Sequence, residues 1–554
     1  MTLLIQQRHN TKEDMRKIGE SSIFEMKKLA FGFILICSQL LGFAIDPRYH
    51  TYDETVAELD SIAANYPTIT RLDTIGVSTR DSLPILAMKI SDNPQLDEDE
   101  PALLFNGIHH SEELLGCEVC LYLLNDLVNR YASDTLIHRW IDESEIWIVP
   151  MLNPEGHGIV MTGVDTIWRK NKRDNNNNGF FDLDSDGVDL NRNYDFNWNL
   201  GGSGDMTSED YRGPSPFSEN ETRGIRDLAG QDRFVFDICY HCVRTGQGEL
   251  VYYPWRWGVG FCRDYPFIVK IADTVAAKIE NDAHNGTYAT IYGYATEGTA
   301  RNWLYGICGT FAFTIEVSRR CYPPGNLVDS ICIRNLPGAY YLLERTFGSS
   351  ITGIVTDSAT NLPLVAEVRL PAYYDTILPP RTSDSLYGRY RRIVNAGTYA
   401  VQFLKNGYEA VSFDSVVVQP GILTVLNVKM KPLAITEGDN LKAESGKLEV
   451  YPNPFHEKIK INFEIPQLEM HSFLTVKSEM SLKIYNALGR QVKSFNLPSA
   501  YSPDLAPRSG AGLLPSDITW SGSDETGRML PAGVYFIWLA IDNQKLINKV
   551  ILLR

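Results

Sequence analysis

The apolar residues in the first half of the chain alternate between a helical spacing and short continuous runs. They recur every three or four positions at residues 55–66 and 114–128, which predicts two amphipathic helices. Continuous apolar runs predict strands at residues 85–90, 102–108 and 145–151. Alternating strands and helices are typical of an α/β domain, and we expect a mixed, largely parallel sheet flanked by helices.

Beyond residue 348 the helical spacing disappears, and short apolar strands alternate with Gly, Pro and Asn. Runs at residues 351–355, 398–403 and 424–430 predict a small all-β sandwich, and a second all-β module follows a polar stretch. The pattern therefore predicts an N-terminal extension and leader (1–44), the α/β domain (45–348), a first β-sandwich (349–433), a linker (434–447) and a second β-domain (448–554).

The N-terminal segment contains a candidate export signal. Met26, Lys27 and Lys28 precede an apolar run at residues 29–44 that ends in small residues. A short basic stretch followed by such a run is typical of a secretory signal peptide. The run is shorter than the ~20 apolar residues that a membrane-spanning helix needs. We therefore expect an exported chain that starts at Met26 and has no transmembrane span once the leader is removed.

Composition and charge narrow the function classes. The 554 residues are 44% hydrophobic and 22% charged, which is typical of packed globular protein. The net charge of −16 argues against nucleic acid as a partner, because phosphate binding needs a basic surface. Residues 45–350 contain 45 acids and 25 bases, so the whole acid excess lies in the α/β region.

A candidate metal site follows the strand expected at residues 102–108. The sequence His-His-Ser-Glu-Glu places a His and a Glu three residues apart in two registers, His109 with Glu112 or His110 with Glu113. An imidazole and a carboxylate at this spacing can bind one zinc ion from a single turn. Such pairs are also common on solvated surfaces, and both registers remain open on spacing alone.

A third ligand would come from a distant strand end. The apolar run at residues 234–240 predicts a strand that ends at His241, although a histidine there could equally be a core residue. Two His and one Glu with an open fourth position form a catalytic zinc site. The chain contains no His-Glu-x-x-His sequence, so the common metalloprotease helix is absent.

Four further motifs follow one another in this region. They are Asn-Pro-Glu-Gly at 153–156, Trp-Arg-Lys at 168–170, Asp-Leu-Asn-Arg-Asn at 189–193 and a strand ending Thr-Ile-Glu at 314–316. With the His-x-x-Glu pair, their order and approximate spacing match the zinc carboxypeptidase family, which roughly residues 49–348 resemble. The resemblance implies the zinc carboxypeptidase fold and hydrolysis of a C-terminal peptide bond.

The resemblance also implies a role for each matching residue. Bacterial members often contain two adjacent histidines with the second as ligand, which selects the register of His110 with Glu113. The implied site residues are His110, Glu113 and His241 for zinc, Glu316 as general base and acid, Arg169 for polarising the scissile carbonyl, Asn191 and Arg192 for the terminal carboxylate, and Tyr294 as the substrate-capping tyrosine nine residues before Trp303.

These implied roles agree with general chemistry. Zinc lowers the pKa of water toward ~7, which makes a nucleophile at neutral pH. Arg192 can meet a carboxylate with two parallel hydrogen bonds, which Lys cannot. A carboxylate clamp beside a hydrolytic zinc centre makes an exopeptidase, because only a chain end carries that group. The expected partners are therefore the C-termini of peptides or proteins.

Arg301 corresponds, counting back from Glu316, to the base of the family's specificity pocket. A buried cation there favours substrates that end in Glu or Asp. Alternatively, Arg301 points to solvent or pairs with Glu297. The sequence also departs from the family at Glu112, where Arg is frequent, and at residues 242–243, where Cys-Val replaces Ser-Tyr or Thr-Tyr.

The segment at residues 174–187 contains two runs of alternating carboxylates and amides, each ending in Gly. Such runs around a tight Gly turn are typical of calcium loops. The alternative is a solvated acidic loop, and the first run has Ser185 where an EF-hand has Glu. The candidate calcium ligands are Asp174, Asn176, Asn178, Asp182, Asp184 and Asp186.

Both C-terminal modules resemble accessory domains. Gly-Ile-Val-Thr-Asp at 353–357 and Ala-Gly-Thr-Tyr at 396–399 resemble the transthyretin-like domain associated with carboxypeptidases. Tyr-Pro-Asn-Pro-Phe at 451–455, Leu-Gly-Arg at 488–490 and Pro-Ala-Gly-Val-Tyr-Phe at 531–536 resemble the C-terminal sorting domain of the type IX secretion system. The second resemblance implies contact with the secretion machinery and a secreted or cell-surface location.

The leading hypothesis is a secreted zinc-dependent carboxypeptidase. One alternative is a peptidoglycan (muropeptide) peptidase or amidase on the same fold. Another is a cell-surface peptide-binding protein that has lost catalysis. The joint presence of the expected zinc ligands, Arg169 and Glu316 argues against the last alternative, because a decayed site usually loses one of them.

Overall fold

The computed structural model of the protein describes nine segments. They are residues 45–243, 248–257, 260–433, 447–464, 480–486, 491–496, 518–525, 527–541 and 544–553. The expected leader and nearly all of the expected linker lie outside these described residues. The chain divides into two compact units between Leu433 and Ala434, and each is considered by itself.

The first part of the first unit is an α/β layer structure. Its helices are α1 (Tyr52–Asn65), α2 (Leu115–Arg130), α3 (Thr135–Asp142), α4 (Pro154–Met161), α5 (Asn220–Gln231), α6 (Tyr265–Lys278), α7 (Ala300–Trp303) and α8 (Gly325–Arg345). Its strands are β1 (Thr70–Val77), β2 (Pro84–Ile90), β3 (Ala102–Gly107), β4 (Glu145–Val149), β5 (Phe234–His241), β6 (Leu250–Trp257), β7 (Ala289–Tyr294) and β8 (Phe311–Glu316). This arrangement confirms the α/β prediction.

These eight strands form one mixed sheet in the order β1-β2-β4-β3-β5-β8-β6-β7. The central neighbours β4, β3, β5 and β8 are parallel, whereas β1 and β2 at one edge and the β6–β8 pair are antiparallel. Every residue of β3 and β5 is buried, because helices cover both faces of the sheet there. The carboxyl ends of β3, β5 and β8 therefore meet at one edge, where ligands bind in such sheets.

Local sequence explains where the first helix begins. Thr51 accepts a hydrogen bond from the backbone of Glu54, and the Glu54 side chain accepts one from the Thr51 backbone. This capping box starts α1 at Tyr52, three residues before the apolar spacing begins. The apolar spacing does not include the capping residues, so it predicted the start of α1 three residues too late.

Residues 350–430 form the expected all-β region. Its strands are β9 (Ser350–Asp357), β10 (Glu367–Arg369), β11 (Arg389–Ile393), β12 (Gly397–Leu404), β13 (Val411–Val418), β14 (Leu423–Val425) and β15 (Val428–Met430). One sheet has the order β10-β12-β13, and the other β11-β9-β14, with β15 also pairing with β9.

The single strand expected at residues 424–430 is two short strands, and that prediction is wrong in detail. Both β14 and β15 pair in parallel with β9, but the ladder is interrupted between them. At the interruption, the Asn427 side chain accepts a hydrogen bond from the backbone of Ile354 at 3.0 Å. A side chain thus replaces one carbonyl of the ladder, which an apolar pattern cannot reveal.

This β region packs directly against the α/β region. Phe267 on α6 lies 4.7 Å from the ring of Tyr373 and 5.9 Å from that of Tyr399. Arg392 on β11 forms a buried ion pair of 3.1 Å with Asp264, which precedes α6. One hydrophobic core extends across both regions, which explains why they form one compact unit.

The second unit consists of two further sheets among the described residues. Its strands are β16 (Lys447–Tyr451), β17 (Ile459–Glu464), β18 (Met480–Asn486), β19 (Gln491–Asn496), β20 (Ile518–Trp520), β21 (Gly533–Ile541) and β22 (Gln544–Leu552). The sheet orders are β16-β17-β20 and β19-β18-β21-β22, around a core that includes Trp520 and Tyr535. Within the part of the chain that the structure describes, no helix is long and apolar enough to cross a membrane.

Candidate active site

The loop between β3 and α2 directs two histidines to different partners. Ile108 is fully buried and has a φ of +55°, an unusual backbone conformation for a β-branched residue. His109 follows it and hydrogen-bonds through Nε2 to the Tyr194 hydroxyl at 2.8 Å. His110 instead lies with its Nδ1 atom 2.8 Å from Glu113 Oε1. Strain of this kind is commonly found beside functional sites.

His110, Glu113 and His241 converge on one buried point. The Nδ1 atoms of the two histidines lie 3.2 Å apart, and Glu113 Oε2 lies 2.7 Å from His241 Nδ1. Two nitrogen lone pairs that face each other at this distance repel unless a proton or a cation lies between them. Two imidazoles and a carboxylate are a donor set that zinc prefers, so these residues fit a zinc ion.

The alternative register, His109 with Glu112, does not converge in this way. His109 and Glu112 are both buried, but Glu112 belongs to none of the metal-compatible groups among the described residues. Burial, together with the negative charge of Glu113, raises the pKa of Glu112 to about 7. The structure therefore brings His110 and Glu113, rather than His109 and Glu112, together with His241.

Asp189 links several parts of the site, and the sequence analysis did not assign it a role. Its Oδ1 lies 3.2 Å from His110 Nε2, and its Oδ2 accepts a hydrogen bond of 2.9 Å from Arg169 Nε. Burial alone would raise its pKa, but Arg169 and His110 hold the pKa of Asp189 well below its usual value. The position of Asp189 at the start of the Asp-Leu-Asn-Arg-Asn motif was the sequence signal that could have identified this role.

Arg169 and Glu316 lie beside the cluster of His110, Glu113 and His241. Arg169 Nη1 is 3.9 Å from Glu113 Oε1. Glu316 ends β8 directly opposite His241 at the end of β5, and its Oε2 is buried without a hydrogen-bond partner. Burial, and next the charge of Glu113, raise the pKa of Glu316 to about 8.

Of the three residues expected to contact the substrate's end, Asn191 directly contacts the cluster, with its Nδ2 3.4 Å from His241 Nε2. Asn191 is buried, and its Oδ1 accepts a hydrogen bond of 3.0 Å from the backbone of Ala300. Arg192 keeps 22% of its side chain exposed and lies 3.5 Å from Asp210. Tyr294 ends β7 and is 49% exposed, so its ring is free to contact a ligand.

Arg301 forms the ion pair with Glu297 that the sequence analysis gave as one alternative. It is buried, and its Nη2 donates a hydrogen bond of 2.6 Å to Glu297 Oε2. Its Nη1 donates to Thr314 Oγ1 on β8 at 3.2 Å, while its Nε has no hydrogen-bond partner. Arg301 therefore does not point to solvent, and its charge is partly compensated by Glu297.

The Asn-Pro-Glu-Gly motif supports the loop that contains His110 and Glu113, here called the ligand loop. Asn153 Nδ2 donates to the His109 carbonyl at 3.3 Å, to Ser111 Oγ at 3.0 Å and to the Lys170 carbonyl at 3.2 Å. A Cβ at Gly156 would overlap Ser111 Oγ and the Lys170 carbonyl. The motif thus holds the segment that contains His110 against the segment that contains Arg169.

Several carboxylates of the acidic segment at residues 174–186 accept hydrogen bonds from within the segment. Asp182 Oδ2 accepts hydrogen bonds from Asn178 at 2.6 Å and from Asn176 at 3.1 Å. Asp174 accepts from the backbone of Gly179, and Asp186 from that of Asn175. Among the described residues, none of the expected calcium-binding aspartates belongs to a metal-compatible group, so the geometry gives calcium no support.

Comparison with known proteins identifies two regions of similarity. The family model described as zinc carboxypeptidase matches residues 55–335. The model described as secretion system C-terminal sorting domain matches residues 449–503.

Two relatives that are similar in sequence agree with the first match. A zinc carboxypeptidase of Saccharothrix mutabilis subsp. capreolus is 30% identical over 295 residues, which cover 50% of this chain and 63% of that protein. The chain thus spans a little less than two thirds of that relative. A carboxypeptidase B of Astacus astacus is 30% identical over 279 residues, covering 49% of this chain and 86% of that protein. The crystal structure of a carboxypeptidase A from Helicoverpa armigera has a TM-score of 0.48 at 22% identity, covering 58% of this chain and 80% of that chain.

Proposed function

Because the chain belongs to the zinc carboxypeptidase family, we propose that it removes C-terminal residues from peptides or proteins. One observation carries the proposal. The donor atoms of His110, Glu113 and His241 converge at the carboxyl ends of the central strands, within reach of Arg169 and beside Glu316. These residues together form a hydrolytic zinc centre with two charged side chains beside it.

Proton transfer is the role of Glu316. When bound by the three ligands, zinc supplies Lewis acidity that polarises a carbonyl and makes water acidic near neutral pH. Glu316 Oε2 accepts the water proton and returns it to the leaving amine. A carboxyl group whose pKa is raised above its usual value is a stronger base than an ordinary Glu, which suits it to accept this proton.

Three cationic or amide side chains bind the substrate. Arg169, oriented by its hydrogen bond to Asp189, stabilises the oxyanion that develops on the scissile carbonyl. Arg192 and Asn191 bind the terminal carboxylate, which restricts the reaction to chain ends. Tyr294 closes over the bound residue, which its exposure at the end of β7 supports.

Arg301 sets the preference for the terminal residue. Its buried guanidinium favours a terminal Glu or Asp, and its Nε has no partner to satisfy it. The ion pair with Glu297 weakens this preference, because an incoming carboxylate competes with Glu297 for the same cation.

The test is a peptide library with free or amidated C-termini, assayed with and without chelator. We expect single residues to be released from free ends only, with loss of activity on chelation and recovery on adding zinc. Glu316→Gln should lower kcat by about 10²- to 10⁴-fold while zinc remains bound. Equal activity of Glu316→Gln would overturn the mechanism. Faster turnover of muropeptides than of ordinary peptides would favour the peptidoglycan peptidase instead.

The sorting-domain match indicates an exported or cell-surface protein. We propose that the leader ends near residue 44, that Met26 is the start, and that the secretion machinery binds the domain at 448–554. We also propose a transthyretin-like domain at 349–433, after a catalytic domain at 45–348 and before a linker at 434–447. N-terminal sequencing of the protein from its own host tests the leader, since a mature chain that begins before Met26 would contradict it.

Calcium at residues 174–186 remains a sequence-based proposal. The alternating carboxylates and amides are its whole support, since hydrogen bonds within the loop already satisfy several of them. With zinc held constant, a melting temperature that calcium does not change would count against it.

A further inference from the structure

A chain of four buried side chains lies behind the zinc ligands. The Tyr194 hydroxyl is 2.8 Å from His109 Nε2. His109 Nδ1 is 3.1 Å from Cys239 Sγ, and Cys239 Sγ is 3.1 Å from His241 Nε2. All four residues are at most 2% exposed. The chain therefore connects a zinc ligand to a buried tyrosine through a thiol.

Ligation determines the direction of these hydrogen bonds. His241 faces the metal position with Nδ1, so its proton is on Nε2 and must be donated. The other polar atom near Nε2 is the Asn191 amide nitrogen Nδ2 at 3.4 Å, which is a donor, because the Oδ1 of the same amide accepts from Ala300. The Cys239 sulfur is therefore the available acceptor.

One arrangement of the remaining protons is compatible with that first bond. With its sulfur accepting from His241, Cys239 donates its S–H to His109 Nδ1. His109 then carries its proton on Nε2 and donates it to the Tyr194 oxygen.

We propose that Cys239 is a positioning residue that fixes the tautomer and the ring orientation of His241, and that His109 and Tyr194 hold Cys239 in place. The inference rests on the proposed zinc site. It assigns a function to the histidine that does not enter the ligand group. It also gives the two ligand histidines different partners, a carboxylate, Asp189, for His110 and a thiol for His241.

The hydrogen-bond acceptors of metal-ligating histidines affect metal affinity. Removing the hydrogen-bond acceptor of a ligating histidine typically costs 10- to 100-fold in affinity. A thiol is a weaker acceptor than a carboxylate, so it aligns His241 without adding a second negative charge beside Glu113. A hydroxyl in its place keeps the hydrogen bond, whereas a methyl group removes it.

The test measures the zinc dissociation constant of the full chain by competition with a chromophoric chelator. We expect Cys239→Ala to weaken zinc binding by 10- to 100-fold and Cys239→Ser by less than threefold. Tyr194→Phe, one step further away, should have a smaller effect than Cys239→Ala. Cys332→Ala is the matched control, because Cys332 is an equally buried thiol on α8, and its affinity should equal that of the wild type.

A second measurement separates positioning from general destabilisation. Nitrogen-15 spectra of labelled histidine should show one Nε2–H tautomer for His241 in the wild type and in Cys239→Ser, and this signal should broaden or shift in Cys239→Ala. Unchanged zinc affinity and an unchanged spectrum in Cys239→Ala would overturn the inference.

Two other outcomes are also decisive. A wild type that binds two zinc ions, one of which Cys239→Ala loses, would show that His109, Cys239 and His241 hold a second metal and would replace the positioning role. A wild type that binds no zinc would overturn the proposed function itself, whereas wild-type binding that is lost in His241→Ala but unchanged in Cys239→Ala would overturn only the inference.

Discussion

At the scale of single residues, the site depends on which neighbour each side chain meets. His109 and His110 are adjacent and identical in type, yet one lies against Cys239 and the other against Glu113. The sequence identified both and left their register open until the family resemblance selected His110. The sequence analysis assigned Asp189 no role, because its partners His110 and Arg169 lie 79 and 20 residues away in the chain. It assigned Cys239 none, because residue types do not show that this thiol lies between His241 and the distant His109.

The Arg301–Glu297 pair gives a prediction for specificity. Glu297→Gln should raise the ratio of kcat/KM for hippuryl-Glu over hippuryl-Leu by about tenfold, equivalent to about 1.4 kcal/mol, because the guanidinium is no longer compensated. Arg301→Leu should reverse the preference toward apolar ends.

Glu280→Gln is the control for this specificity change, since Glu280 pairs with the exposed His284. It should leave the ratio unchanged. A wild type that cleaves substrates ending in Leu or Arg faster than those ending in Glu would contradict the acidic preference.

At the scale of elements, helix α4 shows how close backbone approach positions the site. Gly156→Ala should lower the free energy of unfolding by about 1–3 kcal/mol, because the new methyl group overlaps Ser111 Oγ and the Lys170 carbonyl. Zinc affinity should fall as well, since Ser111 belongs to the ligand loop. Urea denaturation and chelator competition measure the two effects.

Gly158 lies on the same helix and provides the matched control. Its Cβ position has no neighbour within 4 Å. Gly158→Ala should therefore be neutral or stabilise the protein by up to about 1 kcal/mol through helix propensity. Equal effects of the two substitutions would contradict the proposed overlap.

The segment before α1 gives a pH-dependent prediction. Hydrogen bonds to Glu118 and then to Glu58 raise the pKa of His50 to about 10. A pKa raised on folding stabilises the protein fully below the unfolded value of about 6.5. This stabilisation is lost as the pH rises through the folded value of about 10. Allowing for partial exposure, we expect about 1–3 kcal/mol to be lost between these pH values.

Urea denaturation at pH 6 and pH 10 measures this effect as a difference between wild type and His50→Gln. The variant should be less stable at pH 6 and nearly equal to the wild type at pH 10. His138→Gln is the control, because His138 forms an exposed pair with Asp142. The opposite order, a larger difference at pH 10, would show that the ion pairs of His50 do not stabilise the fold.

At the scale of the whole molecule, the described β region at 350–433 is part of the structure that supports the catalytic sheet. Arg392→Ala should lower the free energy of unfolding by about 3 kcal/mol, because it leaves Asp264 buried without its cation. Thermal melting of the full chain and loss of peptidase activity on heating measure the effect.

Truncation also tests whether the β region at 350–433 supports the catalytic sheet. A chain that ends at residue 433 should keep its activity and its stability, whereas one that ends at residue 348 exposes Phe267 and Asp264 and should be poorly soluble. Arg369→Ala is the control for Arg392→Ala, since its pair with Glu367 is partly exposed and surface pairs contribute little. An equally stable chain ending at residue 348 would show that the two regions fold independently.

The sequence by itself determined the chemistry of this protein. Apolar periodicity predicted the α/β layers, and residue types in a characteristic order identified the family and predicted a set of zinc donors, because donor chemistry depends on side-chain type. Only the tertiary structure decided which contacts those side chains make, such as Asp189 with His110, Cys239 with His109 and Tyr194 with His109. Hydrogen bonds depend on distances of tenths of an ångström, and strands and loops far apart in the chain set these distances only once they pack.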